Sequence, residues 1–323
     1  MSDLISVIIP THNCAPYLEE AIGSVLAQTY PHIEAVVVDD GSTDPTGEVL
    51  ARYRSEPRVR TFRQHNQGVG AARNTGMRLS RGKYLCFLDA DDALAPDSVR
   101  SRHRVLAAAS RIALVFTDYA LQRTDEERLP RYLRHSGFLE YFESAFANSP
   151  PEWITFNDRF AELFYRFSPH PIWTGTVMVR TAVAQSIGSF RTDISVGEDT
   201  DYWMRIAARH PIAFLDTATA VYNHHRSNLT RDPERYCRDR IKRLKDMPVP
   251  ASVCRGTIRK NIGDAYFQLG YHYYETDRRA EAALSYLRGL TYDLRGAFVK
   301  GLVLDLLPRS LARGIRSAMA ALR

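Results

Sequence analysis

Three aspartates that follow an apolar run are the residues of this chain best suited to bind a metal ion. The run at 84–88 is typical of a strand buried on both faces of a sheet, and Asp89, Asp91 and Asp92 come directly after it. Neighbouring carboxylates repel one another, and a bound divalent cation removes that repulsion. Asp89 and Asp91 point to the same side of an extended chain, so both can reach one ion. Such oxygen ligands favour Mg2+ or Mn2+ carrying a phosphate; alternatively, Asp91 and Asp92 only stabilise the start of a helix.

The elements that must position these aspartates alternate along the first 120 residues. Short β-rich runs occur at 5–9, 35–38, 59–62, 84–88 and 112–116, with helical patterns at about 17–28, around 49–50, at 70–79 and near 97–109. This alternation predicts an α/β fold with a mostly parallel, Rossmann-like sheet flanked by helices. Ligands of such sheets bind beyond the carboxyl ends of the strands. The polar stretches 10–13, 39–40 and 89–92 each follow a strand, so we expect them to converge on one edge.

Composition narrows the class of protein. The chain has 323 residues, 45% hydrophobic and 25% charged, which is typical of a globular protein with one large and one small domain. It contains no apolar run long enough to span a membrane and no basic leader, and its four cysteines lack paired spacing, which favours a cytoplasmic location. The net charge of +6 comes without an aromatic–basic motif, so we expect no nucleic acid partner.

The remaining segments differ in composition. Residues 120–172 interrupt the alternation, and we expect them to form a helical subdomain. Residues 226–255 are polar and Arg-rich and are interpreted as a connector. Residues 256–292 carry two helical patterns similar to one tetratricopeptide-type hairpin, a C-terminal helical extension. The basic amphipathic tail at 293–323 suits either a peripheral membrane contact through 294–323 or docking on the protein itself.

Six motifs occur in a specific order between residues 4 and 225. They are Pro10-Thr11-His12-Asn13, Val38-Asp39-Asp40-Gly41-Ser42, Asn66-Gln67-Gly68, Ala72-Arg73-Asn74-Thr75-Gly76, Asp89-Ala90-Asp91-Asp92 and Gly197-Glu198-Asp199-Thr200-Asp201-Tyr202-Trp203. This series resembles family 2 of the inverting glycosyltransferases with a GT-A fold. The resemblance does not extend to residues 226–323.

The resemblance implies a nucleotide-sugar donor site. Thr11 and Asp40 are expected on the base and ribose side, where a carboxylate can accept the imide N–H of uracil or thymine. UDP is the default nucleotide, and dTDP is compatible. The full set of expected nucleotide contacts is Pro10, Thr11, Asn13, Asp40, Arg73 and Asp89. Asp91 is expected to bind Mn2+ or Mg2+, with His225 favoured over His224 as the histidine that approaches the metal. A surface ion pair is the alternative role for Arg73.

The resemblance also implies an acceptor side. Asp199 is expected to be the base that takes the proton of the acceptor hydroxyl, with Glu198 beside it. The alternative is that these carboxylates only favour the N-terminus of a helix. Trp173, Thr174 and Gly175 are expected to line the sugar and acceptor side, shaped further by the insertion at 120–172. Core packing is the alternative for Trp173.

These observations predict a metal-dependent inverting glycosyltransferase. It would move a sugar from a nucleotide-diphosphate sugar to a hydroxyl of a glycan or lipid-linked acceptor, in surface polysaccharide biosynthesis at the inner face of the plasma membrane. A nucleotidyltransferase is disfavoured because residues 10–13 form no Gly-rich basic loop. A non-catalytic nucleotide-sugar-binding or scaffold protein is disfavoured by the complete acidic set, which is Asp40, Asp89, Asp91 and Asp199.

Overall fold

The structure is a computed structural model that describes residues 3–123, 126–166, 170–224, 232–247 and 253–293. The chain divides into two compact units, Met1–Asn228 and Leu229–Arg323. Each unit is described by itself.

The first unit is built on one sheet. Its strands are β1 (Ile5–Thr11), β2 (Ile33–Asp39), β3 (Val59–Arg63), β4 (Tyr84–Phe87), β5 (Ala93–Leu94), β6 (Leu114–Arg123), β7 (Phe146–Ala147), β8 (Ile154–Phe156), β9 (Met178–Arg180) and β10 (Ile212–His224). The order across the sheet is β3-β2-β1-β4-β9-β6-β10-β8-β7, and β5 pairs with β10. Strands β1 to β4 are parallel, and so are β6 and β10, whereas β9 is antiparallel to both its neighbours. The predicted α/β fold with a mostly parallel sheet is therefore confirmed.

Helices cover this sheet. They are α1 (Ala15–Leu26), α2 (Thr46–Ala51), α3 (Val69–Leu79), α4 (Ser98–Ala108), α5 (Tyr132–His135), α6 (Phe138–Phe142), α7 (Arg159–Arg166), α8 (Thr181–Ile187) and α9 (Glu198–Ala207), with short 3-10 turns at Glu143–Ala145 and Thr174–Thr176. Every residue of β1 and β2 is buried, as expected of strands covered on both faces. Helix α1 buries Leu18, Ala21, Ile22 and Val25 against them, at helical spacing.

The insertion at 120–172 is only partly helical. Strand β8 pairs antiparallel with β10, and β7 pairs with β8, so both extend the main sheet. The helices of the insertion pack through a set of buried phenylalanines, which we call the phenylalanine core: Phe116, Phe138, Phe142, Phe156, Phe160, Phe164 and Phe214. The expectation of a helical subdomain was incomplete because strands of two or three residues are too short to show an alternating pattern.

The second unit contains α10 (Pro233–Asp246), α11 (Arg255–Glu275) and α12 (Arg279–Leu290). Helix α10 lies inside the segment interpreted as a connector, which is a correction. Its sequence carried the signals of a helix start, since Asp232 accepts a hydrogen bond from the N–H of Arg235 (3.1 Å) and Pro233 follows directly. Its apolar stripe is narrow, with Cys237, Ile241 and Leu244 buried among charged residues.

The basic tail at 294–323 lies outside the described residues. Within the described ranges, we find no helix that is both long and apolar enough to cross a membrane.

Two helical glycines of the first unit should respond oppositely to alanine. A Cβ on Gly76 in α3 would lie 2.3 Å from Cγ2 of Ile8 in β1, whereas a Cβ on Gly23 in α1 would meet nothing within 4 Å. We expect Gly76→Ala to lower the free energy of unfolding by about 1–3 kcal/mol through overpacking. Gly23→Ala should raise it by about 0.4–1 kcal/mol, since the unfolded chain loses entropy. Urea denaturation measures both, and equal shifts would contradict the close contact between α3 and β1.

Candidate functional site

The carboxyl ends of three adjacent strands meet at one edge of the sheet. The N–H of Asp40 donates to the carbonyl of Thr11 (2.8 Å), and the N–H of Leu88 donates to the carbonyl of Ile8 (3.0 Å). Thr11 and Asp40 therefore lie side by side, and Asp89 follows on the other side of β1. Pro10 and Thr11 are buried within β1 itself. The structure thus brings the three polar stretches together at the edge where ligands of such sheets bind.

Asp40 holds the loop that leads into α3. Its Oδ1 accepts hydrogen bonds from Nε2 of Gln64 (2.7 Å) and from the N–H of Gln67 (3.0 Å), while its Oδ2 accepts from the N–H of Gly68 (2.7 Å). The side chain is buried. Backbone N–H groups are strong partners for a carboxylate, so Asp40 fixes the loop at 64–68 whether or not it also contacts a ligand.

His12 and Asn13 form the exposed polar rim of this edge. Nδ1 of His12 lies 2.9 Å from the carbonyl oxygen of Asp40, which can only accept, so Nδ1 carries the proton. Nε2 then accepts from the side-chain amides of Asn13 and Asn66, both at 3.2 Å. Oδ1 of Asn13 accepts from the N–H of Thr43 (2.8 Å), and Asn13 has a positive φ of 54°. The rim is thereby fixed by contacts among three loops.

Asn223, which sequence reasoning did not single out for this role, holds the loop at 89–92, which we call the acidic loop. Its N–H donates to Oδ1 of Asp92 (2.8 Å), and its Nδ2 donates to the carbonyl of Asp91 (2.8 Å). Asp92 is buried, and its Oδ2 has no hydrogen-bond partner in the part of the chain that the structure describes. Burial raises the pKa of Asp92 well above its ordinary value, and the charges of Asp91 and Asp89 raise it further, against the N–H of Asn223.

The acidic loop partly fits the predicted metal ion. A buried carboxylate oxygen without a hydrogen-bond partner, next to two more carboxylates, is an environment that a divalent cation stabilises. However, the described residues contain no group of three or more His, Cys, Asp or Glu that could hold a metal on its own. His224 ends β10 directly after Asn223, and His225, the favoured histidine, lies outside the described residues.

Arg73 joins the acidic loop to the start of α9. Its guanidinium is buried, donating through Nη2 to Oδ1 of Asp89 (2.6 Å) and through Nη1 to Oε1 of Glu198. Burial alone would lower the pKa of Arg73, but the carboxylates of Asp89, Glu198 and Asp199 raise it on balance. The alternative of a surface ion pair is therefore wrong. Whether Arg73 also contacts a nucleotide stays a prediction.

The motif around Arg73 is explained by one contact surface. Two of its residues and Gly70, all in α3, face the segment 190–198. The side chain of Asn74 pairs with both backbone groups of Phe190 (2.7 and 2.9 Å), and Arg73 pairs with Glu198. A Cβ on Gly70 would lie 2.3 Å from the carbonyl oxygen of Arg191. The spacing of these residues therefore fits α3 closely against the start of α9.

Glu198 and Asp199 stand at the N-terminus of α9, directly after Gly197, which has a φ of 81°. Glu198 is buried, and burial raises its pKa to about 7, with Arg73 opposing this shift and Asp199 adding to it. Oδ1 of Asp199 accepts from the N–H of Thr200 (2.6 Å), and its Oδ2 accepts from Oγ1 of Thr174 (2.9 Å). The carboxylate of Asp199 thus accepts one hydrogen bond at the start of α9 and a second from Thr174, which lies in a different segment of the chain.

The segment that carries Thr174 is fixed by a second buried arginine. Arg102 in α4 donates to the carbonyls of Val177 (2.8 Å) and Gly175 (3.3 Å), and burial lowers its pKa. Sequence reasoning missed Arg102, although it lies between Val99 and Leu106 on the apolar face of its helix. A Cβ on Gly175 would lie 2.5 Å from the indole of Trp173, so this glycine allows the ring to lie against the backbone.

Comparison with known proteins places the chain in a family. The family model described as glycosyl transferase family 2 matches residues 6–170. An uncharacterized glycosyltransferase of Rickettsia felis is 31% identical over 72% of this chain, and the chain spans only 35% of that relative's length. A putative teichuronic acid biosynthesis glycosyltransferase, TuaG of Bacillus subtilis, is 34% identical over 43% of this chain and 55% of the relative.

Solved structures share the fold. Residues 1–349 of TarS from S. aureus, in complex with UDP-GlcNAc, align with a TM-score of 0.58 at 18% identity over 94% of this chain and 79% of the other. The mannosyltransferase PcManGT from Pyrobaculum calidifontis, in complex with GDP-Man and Mn2+, aligns with a TM-score of 0.60 at 18% identity over 99% of this chain and 85% of the other. These alignments confirm the GT-A architecture. Together with the family match and the ordered motifs at the sheet edge, they show that this chain belongs to glycosyl transferase family 2.

Proposed function

We propose that the chain transfers a sugar from a nucleoside diphosphate sugar to an acceptor hydroxyl, with inversion at the anomeric carbon. The observation that carries this proposal is the buried ion-pair bridge from Asp89 through Arg73 to Glu198. It brings the acidic loop and the candidate base Asp199 into one cluster at the carboxyl edge of the sheet. Separate donor and acceptor groups on one rigid support are what a direct displacement needs.

The donor side is proposed along the ends of β1, β2 and β4. A nucleotide would lie over Thr11 and the loop fixed by Asp40, with the diphosphate toward Asp91. Asp91 would hold Mn2+ or Mg2+ together with phosphate oxygens and His225. A cation bound there would neutralise charge on the departing nucleoside diphosphate. The bound UDP-GlcNAc of TarS and the GDP-Man and Mn2+ of PcManGT support this class of donor, and UDP is our default.

The acceptor side is proposed at the start of α9. Asp199 would accept the proton of the acceptor hydroxyl while the oxygen attacks the anomeric carbon and the bond to the diphosphate breaks on the opposite face. The hydroxyl of Thr174 orients one carboxylate oxygen of Asp199, and the N–H of Thr200 orients the other. The base is therefore held in one rotamer before substrate arrives.

Two observations support the proposed class of acceptor: the mechanism requires a hydroxyl group, and one relative is named for teichuronic acid biosynthesis. Its hydroxyl belongs to a glycan or a lipid-linked sugar, and the likeness to TuaG supports a role in surface polysaccharide assembly. Such assembly at the inner face of the plasma membrane would agree with the basic composition of 294–323.

Nucleotide binding tests the donor class first. UDP, dTDP, GDP, ADP and CMP are added separately, with and without Mn2+, and the melting temperature is recorded. A ligand at about 100 times its Kd adds roughly 2.7 kcal/mol of stability. We expect one nucleotide to stabilise the chain in a Mn2+-dependent manner, and Asp91→Ala to abolish the Mn2+-dependent part. Asp158→Ala, at an exposed carboxylate, is the matched control. No response to any nucleotide would favour a non-catalytic scaffold.

Substitution of the candidate base tests the mechanism. Asp199→Asn keeps the shape of the side chain and removes its ability to take a proton. We expect release of the nucleoside diphosphate from its sugar donor to fall about 100- to 10,000-fold, the usual contribution of a general base. Stabilisation by the nucleotide should be unchanged. Asp158→Asn is the control, and an Asp199→Asn variant that kept most of its rate would refute the assignment.

The buried Glu198 should make stability depend on pH. Its folded-state pKa of about 7 lies above the ordinary value of 4.5, so its contribution to stability is complete below pH 4.5 and is lost as the pH rises to 7. Glu198→Gln does not ionise. We therefore expect wild type to lose up to about 3 kcal/mol of unfolding free energy relative to this variant across that window. Urea denaturation at several pH values measures the difference, with the exposed Glu140→Gln as control. A pH-independent difference would contradict the raised pKa.

A further inference from the structure

Four aromatic rings form a continuous cluster in the first unit, which we call the aromatic platform. Its members are Tyr119, Tyr132, Trp173 and Tyr222. The ring centroids of Tyr119 and Tyr132 are 5.2 Å apart and nearly parallel, at 27°. Trp173 lies 5.1 Å from Tyr119 and 5.2 Å from Tyr222. These distances are those of rings in contact.

The aromatic platform differs from the phenylalanine core in composition and exposure. Every ring of the phenylalanine core is buried and has no polar atom. In the platform only Tyr119 is buried, while Tyr132, Trp173 and Tyr222 are half-buried and carry polar tips. A half-exposed group of tyrosine and tryptophan rings is typical of a recognition surface, because each ring offers an apolar face together with a hydrogen-bonding group.

Hydrogen bonds with two buried side chains, Asp118 and Arg102, fix the backbone next to the platform. Asp118, which is fully buried, accepts hydrogen bonds from the N–H of Leu133 (2.8 Å) and of Arg134 (3.2 Å), and so fixes α5 beside the sheet. This anchoring places Tyr132 against Tyr119. On the other side, Arg102 fixes the segment after Trp173 through the carbonyls of Gly175 and Val177. Two rings of the platform are therefore preorganised by buried charged side chains.

Two rings of the platform are chain neighbours of residues that hold the two halves of the proposed site. Trp173 directly precedes Thr174, whose hydroxyl donates to Asp199. Tyr222 directly precedes Asn223, which donates to Asp91 and Asp92. A molecule lying on these rings would therefore lie near the segments that carry Thr174 and Asn223.

We propose that the aromatic platform binds a pyranose ring of the acceptor, with the C–H face of the sugar stacked on the rings. Such a face is apolar and slightly positive, and it suits the negative face of an aromatic ring, whereas the sugar hydroxyls suit the polar tips. The inference rests on the proposed function, because a sugar held beside Asp199 is the acceptor only if Asp199 is the base. It deepens that function by assigning the rings of this chain that would hold the acceptor sugar.

Binding of defined sugars tests the platform. The full chain is titrated with linear trisaccharides of glucose, N-acetylglucosamine, galactose and mannose in the presence of Mn2+ and the stabilising nucleotide. Saturation-transfer NMR reports contact with the protein and gives Kd. The variants are Tyr132→Leu, which removes the ring, Tyr132→Phe, which keeps it, and Tyr141→Leu, which removes an exposed tyrosine of the same insertion.

We expect at least one trisaccharide to bind, with Kd raised about tenfold in Tyr132→Leu, which corresponds to ~1.4 kcal/mol. Tyr141→Leu should bind as wild type does, and Tyr132→Phe, which keeps the ring and loses only its hydroxyl, should bind more tightly than Tyr132→Leu. Equal Kd in wild type and Tyr132→Leu, or no binding by any trisaccharide, would overturn the platform. The melting shift with nucleotide, measured on the same samples, separates the two proposals: its absence in wild type overturns the proposed function, whereas its presence with unchanged sugar binding in Tyr132→Leu overturns only the platform.

Discussion

The guanidinium of Arg73 is buried between two carboxylates that belong to distant parts of the chain, Asp89 and Glu198. A buried cation without partners would be strongly destabilising, and removing one partner from a buried pair typically costs about 3–5 kcal/mol. The close packing of α3 against β1 at Gly76 and against the start of α9 at Gly70 brings these charges together. Because the same arginine satisfies both carboxylates, the acidic loop and the start of α9 cannot move apart without exposing or isolating a charge. The geometry of the proposed site therefore depends on this bridge.

Three other buried carboxylates in the first unit accept hydrogen bonds from backbone N–H groups. Asp40 fixes the loop at 64–68, Asp92 accepts from Asn223, and Asp118 fixes the start of α5. Each ties a loop to the end or the edge of a strand, so loops that lack regular pairing gain fixed positions. Burial opposes ionisation of Asp92 and Asp118, whose pKa values are raised. Asp92 differs from the other two because one of its buried oxygens has no hydrogen-bond partner within the described ranges. The cation proposed for the acidic loop would supply a partner for that oxygen.

Patterns among neighbouring residues predicted those parts of the fold that depend on neighbouring residues. The buried strands, their order along the chain and the polar residues at their ends are visible as apolar runs followed by aspartates, and the motif series predicted the family. Pairings between distant residues could not be predicted: Arg73 and Glu198 are 125 positions apart, and Asn223 and Asp92 are 131 apart. Helix α10 was missed because its apolar stripe is narrow, although Asp232 and Pro233 marked its start. Arg102 was missed because a charged residue on an apolar helix face has a role only once its carbonyl partners are known.

The connection from the aromatic platform to the candidate base is one residue long, and this constrains how an acceptor can affect catalysis. Trp173 and Thr174 are adjacent, Gly175 lets the indole lie against the backbone, and Arg102 holds the carbonyls that follow. A sugar that shifted the indole would also shift the Thr174 hydroxyl and hence the carboxylate of Asp199. A misplacement of about 1 Å at a reacting group can lower a rate by about 100-fold. An acceptor that stacks without strain would therefore keep the base in its oriented rotamer, whereas one that displaces the ring would bind and yet react slowly. If the platform binds the acceptor and Asp199 is the base, recognition and proton transfer would be coupled through one short segment of backbone.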